Sequence, residues 1–139
     1  MNRAKLIAQL HVDEDKRSKP YRCTAGKLSI GVGRNLEDRG LSEDEIAYLL
    51  NNDIDGCARD LDRALPWWRE LDDARQNVLL NMCFNLGIGR LLGFKKTLAL
   101  VQSHRYDAAA AEMLNSKWAD DVGMRAARLA KIMRTGVLP

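Results

Sequence analysis

The chain has three cysteines, two histidines and no apolar run near the length of a membrane span. Each scarcity removes a class of function. Cys23, Cys57 and Cys83 cannot all pair within one chain, and none belongs to a CxxC pair. Thiols made in a reducing compartment are therefore expected, not a disulfide framework. Metal-binding spacing is lacking too. In the opening stretch MNRAKLIAQLHVDEDK, Gln9 and His11 break the apolar run, so it lacks the hydrophobic region of a secretory leader. Other apolar runs fall far below the ~18 residues that cross a bilayer. No membrane insertion is expected, and any export must be supplied by something else. Repeats and low-complexity stretches are absent.

What is present is ordinary for a globular domain. At 139 residues, with 46% hydrophobic and 29% charged residues, the chain is expected to form one domain that buries most of its apolar surface. The net charge of +3 is uneven. Residues 1–70 carry 12 Lys/Arg against 13 Asp/Glu, and residues 71–139 carry 10 against 6. A mildly basic second half suits an anionic polymer, nucleic acid or cell wall, although on charge alone a merely solvated surface is the readier explanation.

Ala4, Leu6, Ile7 and Leu10 predict a short amphipathic helix over about 2–12. From Tyr21 to about Asn35 the pattern becomes that of a hairpin, with Gly26 suited to a tight turn and LSIGVG alternating as a strand does. Ser42-Glu-Asp-Glu45 reads as a capping box. Behind it Ile46, Leu50, Ile54, Cys57 and Leu61 predict one buried stripe along a helix that ends before Pro66. Further helices are expected at about 71–86, 94–104, 107–118 and 123–134. The expected fold is α+β and mostly α: a small β hairpin subdomain at about 14–40 after the first helix, a larger helical lobe, and a ligand cleft between them.

Several constellations invite a chemical reading. Gly31-Val-Gly33 lacks the third glycine of a nucleotide loop, and no helix opens directly behind it. Strand glycines more often mark a close backbone approach. Cys23 with His11 is a formal Cys–His pair, but neither His11 nor His104 stands in a peptidase motif. Cys57 and Cys83 fall on apolar helical stripes, where cysteine behaves as a small hydrophobe. Cys23 differs, lying between Arg22 and Thr24 in a polar turn. The acidic cluster Asp13, Glu14, Asp15 closes the first helix, where the helix dipole disfavours carboxylates.

Eight residues separate Glu14 from Cys23, and five separate Cys23 from Ser29. In this spacing, and in YRCTAGKLSIGVG around it, the chain resembles the T-even phage lysozyme family of muramidases, the phage endolysins. That family has Glu at the end of its first helix, then Asp or sometimes Cys, then Thr. The likeness returns in LDDARQNVLLNMCFNLGIGRLLGFKKTLALVQSHRYDAAAAEMLNSKWADD and again in RTG near the end. It thus covers nearly the whole chain, implying a single lysozyme-like domain over 1–139. The stretch around 35–42 is shorter than in the best-known members, which implies a trimmed β subdomain.

By this resemblance Glu14 is the general acid, because an alkoxide leaves poorly unless protonated. Burial would raise its pKa, whereas pairing with Arg125, as the resemblance implies, would lower it. Cys23 takes the seat that many relatives fill with Asp, as nucleophile, base or near-spectator. Ser29 stands for the usual Thr and keeps the hydroxyl that positions water. Asn35, Phe84, Thr97 and Glu112 match positions that touch the sugar chain, with Asn81, Asn85 and Arg125 in support. Arg34 replaces a family His, leaving any ion pair of that His open. Trp118 is assigned to the helical core, and Trp67 and Trp68 have no assigned role.

The resemblance implies hydrolysis of the β-1,4 bond between N-acetylmuramic acid and N-acetylglucosamine in peptidoglycan. No cofactor and no nucleic acid are involved, since proton transfer and electrostatics suffice. It also implies a monomer made in the host cytoplasm that reaches the wall when a holin opens the membrane. Two other readings are a lytic transglycosylase working with Glu14 alone, and a wall-binding or structural phage module without catalysis.

Overall fold

The computed structural model describes residues 1–139. Helix α1 spans Arg3–Glu14, and strands β1 (Arg17–Arg22), β2 (Leu28–Gly31) and β3 (Arg34–Asn35) follow. Next come a single turn, α2 (Leu36–Arg39), and the long α3 (Glu43–Ala64). A 3-10 turn at Pro66–Glu70 leads into α4 (Asp73–Leu86), α5 (Ile88–Leu91) and α6 (Lys95–Gln102). The chain ends with α7 (Tyr106–Leu114), α8 (Lys117–Val122) and α9 (Met124–Thr135). The architecture is α+β and mostly α, as expected. It forms two compact units, Met1–Leu49 and Leu50–Pro139.

In the first unit the expected hairpin is a three-stranded antiparallel sheet ordered β1-β2-β3. The added strand is short, pairing Arg34 with Ile30 and Asn35 with Ser29. Gly31 and Gly33, both at positive φ, turn the chain between β2 and β3, and this allows the second reversal. The β1–β2 turn closes through Gly26 N–H to the Cys23 carbonyl at 2.8 Å and Cys23 N–H to the Lys27 carbonyl at 2.9 Å. Gly26 supplies the φ of +78° that this turn needs. No residue of α1 is buried, and Leu6, Ile7 and Leu10 remain 39–47% exposed. Ser29 is the one fully buried residue of this unit.

The capping box forms as expected. Ser42 Oγ accepts from Glu45 N–H at 3.2 Å, and Glu45 Oε1 accepts from Ser42 N–H at 2.8 Å. The same carboxylate receives Arg34, with Nη2 2.7 Å from Oε2. Arg34 thus anchors β3 to the start of α3 and also donates to the Gly40 carbonyl. This ion pair, with the two Ser42 bonds, holds the Glu45 carboxyl at about 2.

The core of the second unit centres on α4, which buries Ala74, Val78, Leu79, Met82, Cys83 and Leu86. Leu61, Trp68, Leu91, Val101, Met113 and Met133 complete it. Helices α7 and α9 pack together and bury Ala109, Ala110, Ala126 and Ala130, whose small side chains let backbones approach. Arg75 ties α4 to the end of α9, its Nε donating to the Met133 carbonyl at 2.8 Å and its Nη2 to the Arg134 carbonyl at 3.2 Å. Its guanidinium also stacks 3.6 Å from the Tyr106 ring centroid. Trp68 is buried, with Nε1 donating to Asp62 Oδ1 at 2.8 Å, so its role is structural.

Two helical expectations change. The stripe on α3 is fully buried only at Leu61, and Cys57 is half-buried. Ile46, Leu50 and Ile54 stay 40–46% exposed, because Leu50 and Ile54 face an open cavity and not a packed neighbour. The helix expected over 107–118 is two helices. Ser116 divides them: its Oγ donates to the Met113 carbonyl at 2.7 Å and accepts from Ala119 N–H at 3.1 Å, capping α8.

Candidate active site

Glu14 is the last residue of α1, and Asp15 behind it adopts φ +63°, which turns the chain sharply into β1. The Glu14 carboxylate lies over the backbone of Gly33. A Cβ built on Gly33 would stand 2.8 Å from Glu14 Oε2 and 3.0 Å from its Cδ. The second glycine of Gly31-Val-Gly33 therefore seats a side chain of the same unit. A nucleotide-loop reading has no such explanation for it.

Cys23 opens the β1–β2 turn, with the Ala25 and Lys27 backbone beside it. The Lys27 and Ala25 N–H groups, in that order, hold the thiol below the usual cysteine range; partial burial opposes them, and the Ser29 hydroxyl adds to them. Ser29 is only 3% exposed. Its Oγ lies 3.2 Å from the Lys27 carbonyl, to which it donates. Rotating that one hydrogen toward the sulfur stabilises a thiolate instead. Sequence spacing alone separates residues 23 and 29, and the turn brings them together.

Asn35 is less available than expected. Its Oδ1 accepts from Asp38 N–H at 3.0 Å and its Nδ2 donates to Asp38 Oδ2 at 2.9 Å, so it caps α2.

The residues expected from the helical lobe fall around two cavities of the second unit. Asn81, Phe84 and Arg125 line one of about 440 Å³, together with Leu50, Ile54 and Cys57. Phe84 is 46% exposed there. Arg125 donates through Nε and Nη2 to Asn81 Oδ1 at 3.0 and 2.8 Å, a two-pronged contact that orders both side chains. Thr97 and Glu112 line the other cavity, of about 430 Å³, with Phe94, Lys95, Lys96 and Trp118. Glu112 pairs with Lys96 at 3.1 Å. Asn85 supports this cavity, accepting from Trp118 Nε1 at 2.8 Å. Trp118 is buried edge-to-face against Phe94, as a core residue.

Sequence reasoning missed Gly33 as the seat of Glu14. The available signal was a strand glycine asking for a close approach, although nothing in the spacing named its partner. It also missed Lys96, an exposed cation with no motif around it.

The comparisons with known proteins agree with one another. The phage lysozyme family model matches residues 12–134. Two Dictyostelium discoideum proteins, described as probable T4-type lysozymes 1 and 2, are each 24% identical. Those alignments cover 93% and 96% of this chain and 93% and 95% of the relatives. The pre-baseplate central spike protein Gp5 of Enterobacteria phage T4 is 28% identical over 80% of this chain, which corresponds to 20% of that protein. The family match runs from the end of α1 through nearly all of α9, so the chain belongs to the phage lysozyme family.

Proposed function

We propose that the protein is an endolysin that cuts the β-1,4 bond between N-acetylmuramic acid and N-acetylglucosamine in peptidoglycan, with Glu14 and Cys23 as its reacting groups. The family makes it a lysozyme-type glycoside hydrolase. The observation that carries the finer reading is the turn at Cys23, where two backbone N–H groups and the Ser29 hydroxyl favour a thiolate. A charged sulfur in that position supplies the negative charge that a second carboxylate provides elsewhere in glycosidases.

Glu14 gives its proton to the leaving glycosidic oxygen. The Cys23 thiolate either attacks the anomeric carbon, forming a thioglycosyl intermediate that water then hydrolyses, or takes a proton from water held by Ser29. The first route retains the anomeric configuration and the second inverts it. In the first route Glu14 recovers its proton from the attacking water and Cys23 leaves as the thiolate; in the second the proton gained by Cys23 passes through solvent back to Glu14, and neither route needs a cofactor. Phe84, Thr97, Glu112 and Asn35 contact the glycan in this reading, supported by Asn81, Asn85 and Arg125. No helix is long and apolar enough to cross a membrane. In this reading of the family a holin gives the enzyme its access to the wall.

One observation favours a second reading: the position paired with Glu14 carries no carboxylate. A lytic transglycosylase works with one Glu by closing the muramic acid's own 6-hydroxyl onto the anomeric carbon. A zymogram with embedded peptidoglycan, followed by product mass, decides between them. Reducing ends that Glu14→Gln abolishes are expected. Anhydro ends, one water lighter, would establish the transglycosylase, and a fully active folded Glu14→Gln would sink both.

A further inference from the structure

Both ends of the turn that carries Cys23 are tied to one carboxylate. Glu37, on the single-turn helix α2, accepts the Leu28 backbone N–H on Oε1 at 2.9 Å. The same oxygen accepts from Arg22 Nη1, and that nitrogen also donates to the Gly26 carbonyl at 3.1 Å. Glu37 is thus joined directly to the residue before Cys23 and to the residue after Lys27, and through Arg22 to the tip of the turn. Inside this frame the Cys23 N–H donates to the Lys27 carbonyl at 2.9 Å. Helix α2 is itself fixed at both ends. Asn35 Oδ1 caps its start, accepting from Asp38 N–H at 3.0 Å, and Arg34 Nη1 donates to the Gly40 carbonyl behind it at 3.2 Å. All of these residues belong to the first unit.

We propose that Glu37 is a positioning residue of the site: by fixing both ends of the 22–28 turn it sets where the Cys23 sulfur stands, without meeting the glycan itself. This rests on the reading of Cys23 as a reacting group. An exposed Arg22–Glu37 ion pair alone contributes little. What sets Glu37 apart is the backbone N–H held on the same oxygen, a charge-assisted bond that fixes main chain as well as side chain. Without Glu37 the turn is free to shift. A displaced sulfur loses its orientation to the reacting atoms, which costs kcat and not substrate affinity. The thiol itself separates positioning from charge. A nearby carboxylate disfavours a thiolate, so its removal through space alone lowers the thiol pKa. Loss of the frame instead relaxes the backbone N–H groups that favour the thiolate, and raises it.

The test uses the full chain and two readouts. Iodoacetamide alkylation of Cys23 against pH, read by peptide mapping, follows the sulfur whether or not the protein cuts glycan. Peptidoglycan turnover follows the reaction. Glu37→Ala should raise the alkylation midpoint by roughly half a pH unit or more, toward the ~8.5 of a free thiol. It should also lower kcat about tenfold while KM stays within about twofold. Glu37→Gln keeps an acceptor for the Leu28 N–H and should recover most of both. Arg22→Met removes one arm of the frame and should move both readouts the same way by less. A folded Glu37→Ala with the wild-type midpoint, or with a lower one, overturns the proposal. If Glu37→Ala does not fold, Arg22→Met decides by the same rule. A raised midpoint with unchanged turnover upholds the frame and sinks the reading of Cys23 as a reacting group.

Discussion

The Glu14 carboxylate rests on the bare backbone of Gly33, so close that a Cβ there would come within 2.8 Å of Oε2. Gly33 also holds φ +67°, a conformation that costs an L residue about 1 kcal/mol. Gly33→Ala therefore bears two separable costs. The melt should show a loss of about 1 kcal/mol, whereas lysis should fall by roughly tenfold or more, since displacing the acid costs orientation. A variant that melts lower yet lyses normally would remove Gly33 from the site.

The Cys23 thiol lies below the usual cysteine range, held there by Lys27 and Ala25 N–H groups and helped by Ser29. Iodoacetamide should modify Cys23 first among the three cysteines. The midpoint of its rate against pH should fall below the ~8.5 of an unperturbed thiol. Ser29→Ala should move that midpoint upward and leave the turn intact. The sign for stability follows: a lowered folded pKa stabilises the fold fully above the unfolded value, and this contribution is lost as pH falls through the folded one. If Cys23→Ala lyses as fast as wild type, the sulfur has no part in the reaction.

Glu45 is held at about 2 by Arg34 and Ser42, against about 4.3 for a free Glu. Its contribution to stability is complete above the unfolded value and disappears as pH falls toward 2. Arg34→Met should raise the Glu45 pKa and make acid unfolding begin at higher pH. Circular dichroism melts between pH 5 and pH 2 would show it. Identical acid profiles for the two proteins would mean that the ion pair adds nothing.

Arg75 holds two carbonyls at the end of α9 and stacks on Tyr106. Charged hydrogen bonds of this kind contribute about 2 kcal/mol, so Arg75→Met should lower Tm by roughly 5 °C. Activity per folded molecule should hold at temperatures well below the transition. A Tm within 1 °C of wild type, on the scale of about 0.3 kcal/mol, would show the contact to be dispensable.

Local signals were readable where one stretch of chain contains both partners. The Ser42–Glu45 box, the Gly26 turn and the helical stripe of α4 are of this kind. The third strand was hidden because β3 is only Arg34–Asn35, too short to show alternation. Ser116 was likewise overlooked as a cap inside what reads as one helical stretch. For the site, the spacing of Glu14, Cys23 and Ser29 was plain, but the N–H groups that lower the thiol were not. They belong to the turn's backbone, on which side-chain identity is silent. The stripe on α3 failed for a related reason: periodicity says which side chains share a face, not whether anything covers it.

The Glu45 carboxylate serves two masters, the first turn of α3 and the end of the small sheet. Positions 34 and 42 are therefore not free to drift separately. A change at either leaves Glu45 able to compensate through the other, whereas losing both strands it. In a lineage of such chains, tolerance at one of these positions would depend on the history of the other, and their substitutions would be epistatic through a residue that neither replaces.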